Sequence, residues 1–240
     1  MDQLEHHILQ VNGIDLSLYS AGPKIGRWVW LLHGFPECWH SWRQQIAPLA
    51  AAGYRVLIPE MRGYGQSSAP RDPAAYDVMT ICADIQATMD QLGQQQVCVV
   101  GHDWGAPIAW HLALLEPDRV KAVVGMAVPF GGRPKQPAID IMRQLYAERF
   151  HYILHFQEPG IAEAEMDADI PRTLRMMMYN TSAAAPKDHF LQEKPAGAGL
   201  FDGMHDPATL PAWCDNAAFE HYLSAFEGRG FYGALNWYRN

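Results

Sequence analysis

One five-residue stretch of this sequence has the makings of a nucleophile. In Gly101-His102-Asp103-Trp104-Gly105 a carboxylate stands between two glycines, directly after the apolar run 97–100 and directly before a helical stretch from Ala106 to Leu115. A strand-to-helix turn that tight leaves no room for a Cβ at either flanking position, and it thrusts the central side chain out above the helix N-terminus. Asp103 would need no base to activate it there, because a carboxylate of ordinary pKa, about 3.9, is already ionised at neutral pH. Carboxylates suit displacement at saturated carbon, and the product is an alkyl-enzyme ester that water must then cleave. An Asp before a helix is also a common N-cap; the paired glycines and the preceding strand favour the nucleophile. The second stretch is His33-Gly34-Phe35-Pro36-Glu37, which directly follows the apolar run WVWLL (28–32). A His-Gly pair alone says little, but one lying this far upstream of the 101–105 turn strengthens the reading.

The elements that must hold these residues follow from hydrophobic period. Apolar residues flank Asn12-Gly13, the dipeptide that best tolerates a type I′ turn, so the chain opens with a hairpin. The runs 28–32, 55–58, 97–100 and 120–124 are apolar without alternation, as parallel strands covered on both faces by helices are. Val78, Ile81, Cys82, Ile85, Met89 and Leu92 recur at steps of three and four, with Gly93 placed to end that helix. Strand and helix alternate in this way up to about residue 130, which predicts an α/β fold. Beyond it no strand run is found. Ile139, Met142, Leu145, Tyr146, Phe150 and Ile153 trace one helical face, and Phe219, Tyr222, Leu223 and Phe226 another. Residues 182–212, rich in Ala, Pro and Gly, predict a long mobile connection or a disordered linker. The division expected is 1–131 for the α/β part and 132–240 for a helical part.

Composition narrows the function. A net charge of −8 with no cluster of Lys and Arg argues against a nucleic-acid partner. No apolar run approaches the length needed to cross a bilayer, and the N-terminus has no basic-then-apolar leader pattern. Cys38, Cys82, Cys98 and Cys214 are widely spaced, and neither they nor His6-His7 and His221 show metal-ligand spacing, so a reduced, cytoplasmic protein without metal or other cofactor is expected.

HGFPECWHSWR (33–43), PEMRGYGQS (59–67) and GHDWGAPIAW (101–110) resemble the soluble epoxide hydrolase branch of the α/β-hydrolases. HFQEPGIAEAE (155–165) and GALNWYRN (233–240) resemble the two cap motifs of that branch, so the resemblance spans nearly the whole chain. It implies an α/β-hydrolase core with a mostly parallel sheet, strands one to six being present, and an inserted helical cap. It makes 101–105 the nucleophile elbow, with Asp103 where esterases and lipases place serine, and gives the oxyanion hole to the backbone N–H groups of Phe35 and Trp104. It also implies that two cap tyrosines, Tyr152 and Tyr238, donate hydrogen bonds to an epoxide oxygen. Ring opening builds negative charge on that oxygen, and a phenol of pKa near ~10 donates without being charged at rest. Phe156, one turn along from Tyr152, and Trp104 would line the substrate pocket. Either tyrosine could instead be a core aromatic with its hydroxyl on a carbonyl, and Tyr146 and Tyr179 are rival donors. Met176-Met177-Met178 would line an adaptable pocket or fill the core.

The same resemblance implies a histidine, oriented by an acidic residue, that activates water against the ester. In the family both lie after the cap, and no strand run or Gly-His pair follows Tyr238 here. The expectation is that they reside on a second polypeptide or a further segment, which would also cover the edge of the sixth strand. A chain without them would form the ester slowly and not turn it over. His102 flanks the nucleophile yet should point away from it. Two rival functions share the scaffold. A haloalkane dehalogenase would use the same Asp-Trp pair, but it needs an Asn after the His-Gly pair or a second cap Trp, where this chain has Phe35 and two tyrosine motifs. A non-catalytic ligand-binding protein would have little use for Asp103.

Overall fold

The computed structural model describes residues 4–132, 134–186 and 193–240. They divide into two compact units, Met1–Phe130 with Asn240, and Gly131–Arg239.

The first unit is built on a six-stranded sheet of β1 (Glu5–Val11), β2 (Ile14–Ala21), β3 (Arg27–Leu32), β4 (Tyr54–Pro59), β5 (Val97–His102) and β6 (Val120–Met126), in the order β1-β2-β4-β3-β5-β6. The β1–β2 hairpin closes as expected: Val11 faces Ile14, and Asn12 and Gly13 take φ of 47° and 77°, the two positive values a type I′ turn requires. β2 pairs antiparallel with β4; β3, β4, β5 and β6 run parallel. The non-alternating runs are buried as such runs should be, with Val29 to Leu32 and Val56 to Ile58 almost wholly inaccessible. β6 departs from that expectation. Its neighbour in the described sheet is β5 alone, and Val124 and Met126 are exposed.

Three helices accompany the sheet: α1 (Arg43–Ala51), α2 (Val78–Gln91) and α3 (Gly105–Leu115). The start of α2 is fixed by Asp77, whose carboxylate accepts from the Met79 and Thr80 amides. Its end is fixed by Gly93 at φ 66°, and Ile81, Cys82, Ile85 and Met89 form its buried stripe. A buried ion pair, Arg62 to Asp84, ties α2 to the segment after β4, with Nε donating to Oδ2 at 2.8 Å.

The second unit contains α4 (Ala138–Leu145), α5 (Tyr152–His155), α6 (Ile161–Met166), α7 (Ile170–Asn180), α8 (Asn216–Phe226), α9 (Tyr232–Leu235) and a 3-10 turn over Asn236–Arg239. The single helical face expected from Ile139 to Ile153 is broken. Arg149 forms an isolated bridge with Pro195, and the Phe150 amide donates to the Lys194 carbonyl at 2.8 Å. Those long-range bonds take backbone groups that a continuing helix would use, and His151 then restarts the helix by accepting from the Ile153 amide. The expected loose connection over 182–212 is also corrected where the chain is described; residues 187–192 lie outside the described residues. The Leu200 amide is held by Glu165 at 2.7 Å, Lys194 donates to the Leu200 carbonyl at 2.7 Å, and Asn180 bonds both the amide and the carbonyl of His205. Met176, Met177 and Met178 are all buried on α7.

Candidate active site

In the first unit the structure brings together Asp103, Phe35 and Trp104. β5 feeds directly into α3 through a turn in which Asp103 holds φ of +50°, a left-handed conformation that residues other than glycine seldom adopt and that is concentrated at functional sites. The neighbouring glycines are required by contact. A Cβ on Gly101 would stand 2.0 Å from the Gly105 carbonyl oxygen, and one on Gly105 would stand 2.2 Å from that of Leu32. Gly34 is forced for another reason: a Cβ there would lie 2.3 Å from the Cβ of Asp103 itself. The loop after β3 can therefore lie against the 101–105 turn, and the Phe35 amide donates to Asp103 Oδ1 at 2.8 Å. The Trp104 amide bonds the same carboxylate.

The loop carrying Phe35 is held from behind. His33 is buried, its Nε2 accepting from the Met61 amide at 3.0 Å. That leaves Nδ1 to donate to the Gly34 carbonyl, also at 3.0 Å. Burial keeps this histidine neutral by lowering its pKa. The Phe35-Pro36 peptide is cis. Glu37, quoted in the sequence motif without a role, accepts from the Gly34 amide at 2.9 Å and faces His102 Nδ1 at 3.1 Å. His102 thus turns to Glu37, whose hydrogen bond raises the imidazole pKa. Burial, followed by the opposing bonds from Phe35 and Trp104, leaves the Asp103 pKa raised above the ordinary carboxylate value.

In the second unit the structure brings together Tyr152, Phe156 and Tyr238. Phe156 sits one turn after Tyr152 at the end of α5, its amide donating to the Tyr152 carbonyl at 2.9 Å. The Tyr238 ring lies across both, with centroids 6.0 Å from Tyr152 and 5.0 Å from Phe156, each edge-on. Tyr146 packs on His151 and Tyr179 on His205. Three residues that sequence reasoning left unassigned lie beneath the cluster: Gln157, Glu163 and Arg239. Glu163 was within reach. Gly160 and Glu163 have the spacing of a helix cap whose third residue reaches back to the cap amide, as Glu163 does to Gly160 at 2.8 Å.

A sharp turn presenting a half-buried carboxylate to two backbone donors, on a sheet of this order, defines a class, and comparison with known proteins agrees. Residues 27–154 match the family described as alpha/beta hydrolase fold. The chain is 42% identical to Epoxide hydrolase A of Mycobacterium tuberculosis over 97% of its own length and 73% of that protein's. It is 40% identical to Epoxide hydrolase 3 of Siraitia grosvenorii over its whole length and 73% of that relative. The crystal structure of epoxide hydrolase A from Mycobacterium thermoresistibile superimposes with a TM-score of 0.93 at 42% identity, covering 99% of this chain and 75% of that one. The chain belongs to the epoxide hydrolase branch of the α/β-hydrolase superfamily.

Proposed function

We propose that Asp103 opens an apolar epoxide by attack on one ring carbon, giving an alkyl-enzyme ester on the way to a vicinal diol. The observation that carries this is the carboxylate on its strained turn, with Oδ1 held at 2.8 Å by the Phe35 amide. The 101–105 turn is the nucleophile elbow in this reading, and Oδ2 is the attacking oxygen. Oδ1 then becomes the ester carbonyl, already against the Phe35 and Trp104 donors, where charge develops when water adds to the carboxyl carbon. The second unit acts as the cap. Tyr152 and Tyr238 donate to the epoxide oxygen as its C–O bond breaks, and Phe156 and Trp104 supply apolar wall.

Water activation is assigned to a histidine and an acidic partner outside residues 1–240, on a second polypeptide or a further segment. Within the first unit both ring nitrogens of His33 are engaged and His102 is turned to Glu37, so neither is placed for the task. A cytoplasmic setting belongs to the same proposal: Cys38, Cys82, Cys98 and Cys214 are thiols. No helix among the described residues is long and apolar enough to cross a membrane.

The test is intact-mass analysis after rapid quenching with styrene oxide. The expected result is one added equivalent, mapped to Asp103 and missing from Asp103→Asn. An adduct that survives in Asp103→Asn, or neither adduct nor diol from the wild type, overturns the proposal.

A further inference from the structure

We infer that Glu163 and Arg239 are positioning residues for ring opening: their buried ion pair, with Gln157, sets the spacing between the Tyr152 and Tyr238 phenols. The inference rests on the role proposed above for those two tyrosines.

The pair has an unusual number of commitments. Arg239 Nη1 lies 2.8 Å from Glu163 Oε1, and Nη2 donates to Oε2 at 3.0 Å. The same guanidinium donates through Nε to the Phe156 carbonyl and through Nη1 to Asn236 Oδ1, both at 2.8 Å. Glu163 Oε2 also accepts from the Gly160 amide at 2.8 Å. Nearby, the single Gln157 Nε2 donates to the Ile153 carbonyl at 2.9 Å and to that of Tyr238 at 2.6 Å. Most of these bonds join the stretch 153–163 to the turn 236–239. Tyr152 directly precedes the first of these, on the same short helix, and Tyr238 stands in the second.

The Arg239 and Glu163 side chains are only 4% and 11% exposed. Stability alone is a poor reason to bury such a pair, because desolvation offsets most of the attraction and an apolar replacement of similar volume is often neutral or better. Fixing a register is the best-attested use of a buried ion pair. Register is what these elements lack: α5 and the 236–239 turn have four residues each, too short to hold a helix geometry unaided. A planar five-donor fork locks them in two dimensions, as an ammonium could not. The phenols need that lock, since a reacting or donating group displaced by about 1 Å can lose ~100-fold in rate.

The experiment measures single-turnover alkylation of Asp103 by styrene oxide, by rapid-quench intact mass, in wild type, Glu163→Gln, Tyr238→Phe and the double variant. Alkylation precedes water activation, so the readout does not depend on the hydrolytic base. Glu163→Gln is expected to slow alkylation about tenfold with the epoxide's apparent affinity within about twofold. On the Tyr238→Phe background it should slow it less than about twofold further, because there is one phenol fewer to position. Arg239→Lys, which keeps the charge but cannot fill the fork, should fall between wild type and Glu163→Gln. Should Glu163→Gln not fold by circular dichroism, Gln157→Leu takes its place in the cycle, with an expected loss of roughly threefold. An equal loss on both backgrounds marks a merely structural role and overturns this inference alone. A Tyr238→Phe protein as fast as wild type overturns the tyrosine assignment, and this inference with it.

Discussion

Asp103 stands on a turn whose dimensions are set by close main-chain contacts, Gly101 against Gly105 and Gly105 against Leu32, with Gly34 held against Asp103's own Cβ. Tyr238 stands on a four-residue turn whose position is set by side chains, an arginine fork reaching out of it to 153–163 and a glutamine reaching in from that stretch. Backbone contacts tolerate almost no adjustment and specify one geometry steeply. Side-chain ties can be loosened one at a time. The comparison teaches that the Asp103 half should fail all at once on substitution, whereas the tyrosine half should fail by degrees.

The largest effect expected of any single change tests that directly. Gly105→Ala puts a methyl 2.2 Å from a backbone oxygen that lies on a central strand, and the cost should be 3 kcal/mol or more, on the order of severe overpacking. Gly160→Ala, in the second unit, meets nothing within 4 Å and carries only its φ of +92°, so about 1–2 kcal/mol is expected. Urea midpoints of the two variants measure the difference. Equal losses would mean that the turn relaxes and that the backbone is not the governing constraint.

A matched pair of charge deletions comes next. Asp84→Asn removes the charge opposite Arg62, but burial already works against that carboxylate and raises its pKa despite the Arg62 bonds, so the loss should be limited to weakened hydrogen bonds, about 1–2 kcal/mol. In the folded fraction it should leave the Asp103 alkylation rate within about twofold, because the pair ties α2 to the core and no tyrosine depends on it. Glu163→Gln should change that rate, as argued above. Asp84→Asn slowing alkylation as much as Glu163→Gln would dissolve the distinction between a pair that holds the fold and one that holds the site.

The two regions were also unequally legible before any coordinates. Glycine requirements, non-alternating strands and an Asn-Gly hairpin are local signals, and residues 101–105, 33–37, the hairpin and α2 follow from them nearly residue for residue. The break between α4 and α5 does not, because its cause is a bridge to Pro195, 46 residues away from Arg149 in sequence number. The roles of Glu37 and Arg239 were equally hidden: each lies inside a quoted motif, but their partners His102 and Glu163 are 65 and 76 residues distant. Exposure on β6 was foreseen only as an edge that a further segment or polypeptide would cover. Its residues have a buried strand's composition, and nothing local shows how many neighbours the strand has.

The smallest effect concerns charge at Asp103, and its sign separates burial from hydrogen bonding. Burial is the first cause acting on Asp103 and raises its pKa; the Phe35 and Trp104 amides pull the other way, and Glu37 adds to the rise. Only the carboxylate attacks, so alkylation should be flat at high pH and fall about tenfold per unit below that raised value. Stability carries the same information. A group whose pKa is higher folded than unfolded makes the folded state less stable when ionised. That penalty is full above the folded pKa, shrinks as pH falls through it, and is gone below the unfolded value of about 3.9. Asp103→Asn removes the charge and keeps a carbonyl to accept from Phe35, so it should melt higher than wild type at pH 8. The gap should close on acidification. A variant that melts no higher at pH 8 would mean that the two amides outweigh burial and that the turn favours the carboxylate it presents. The backbone would then be tuning the nucleophile's charge as well as fixing its place.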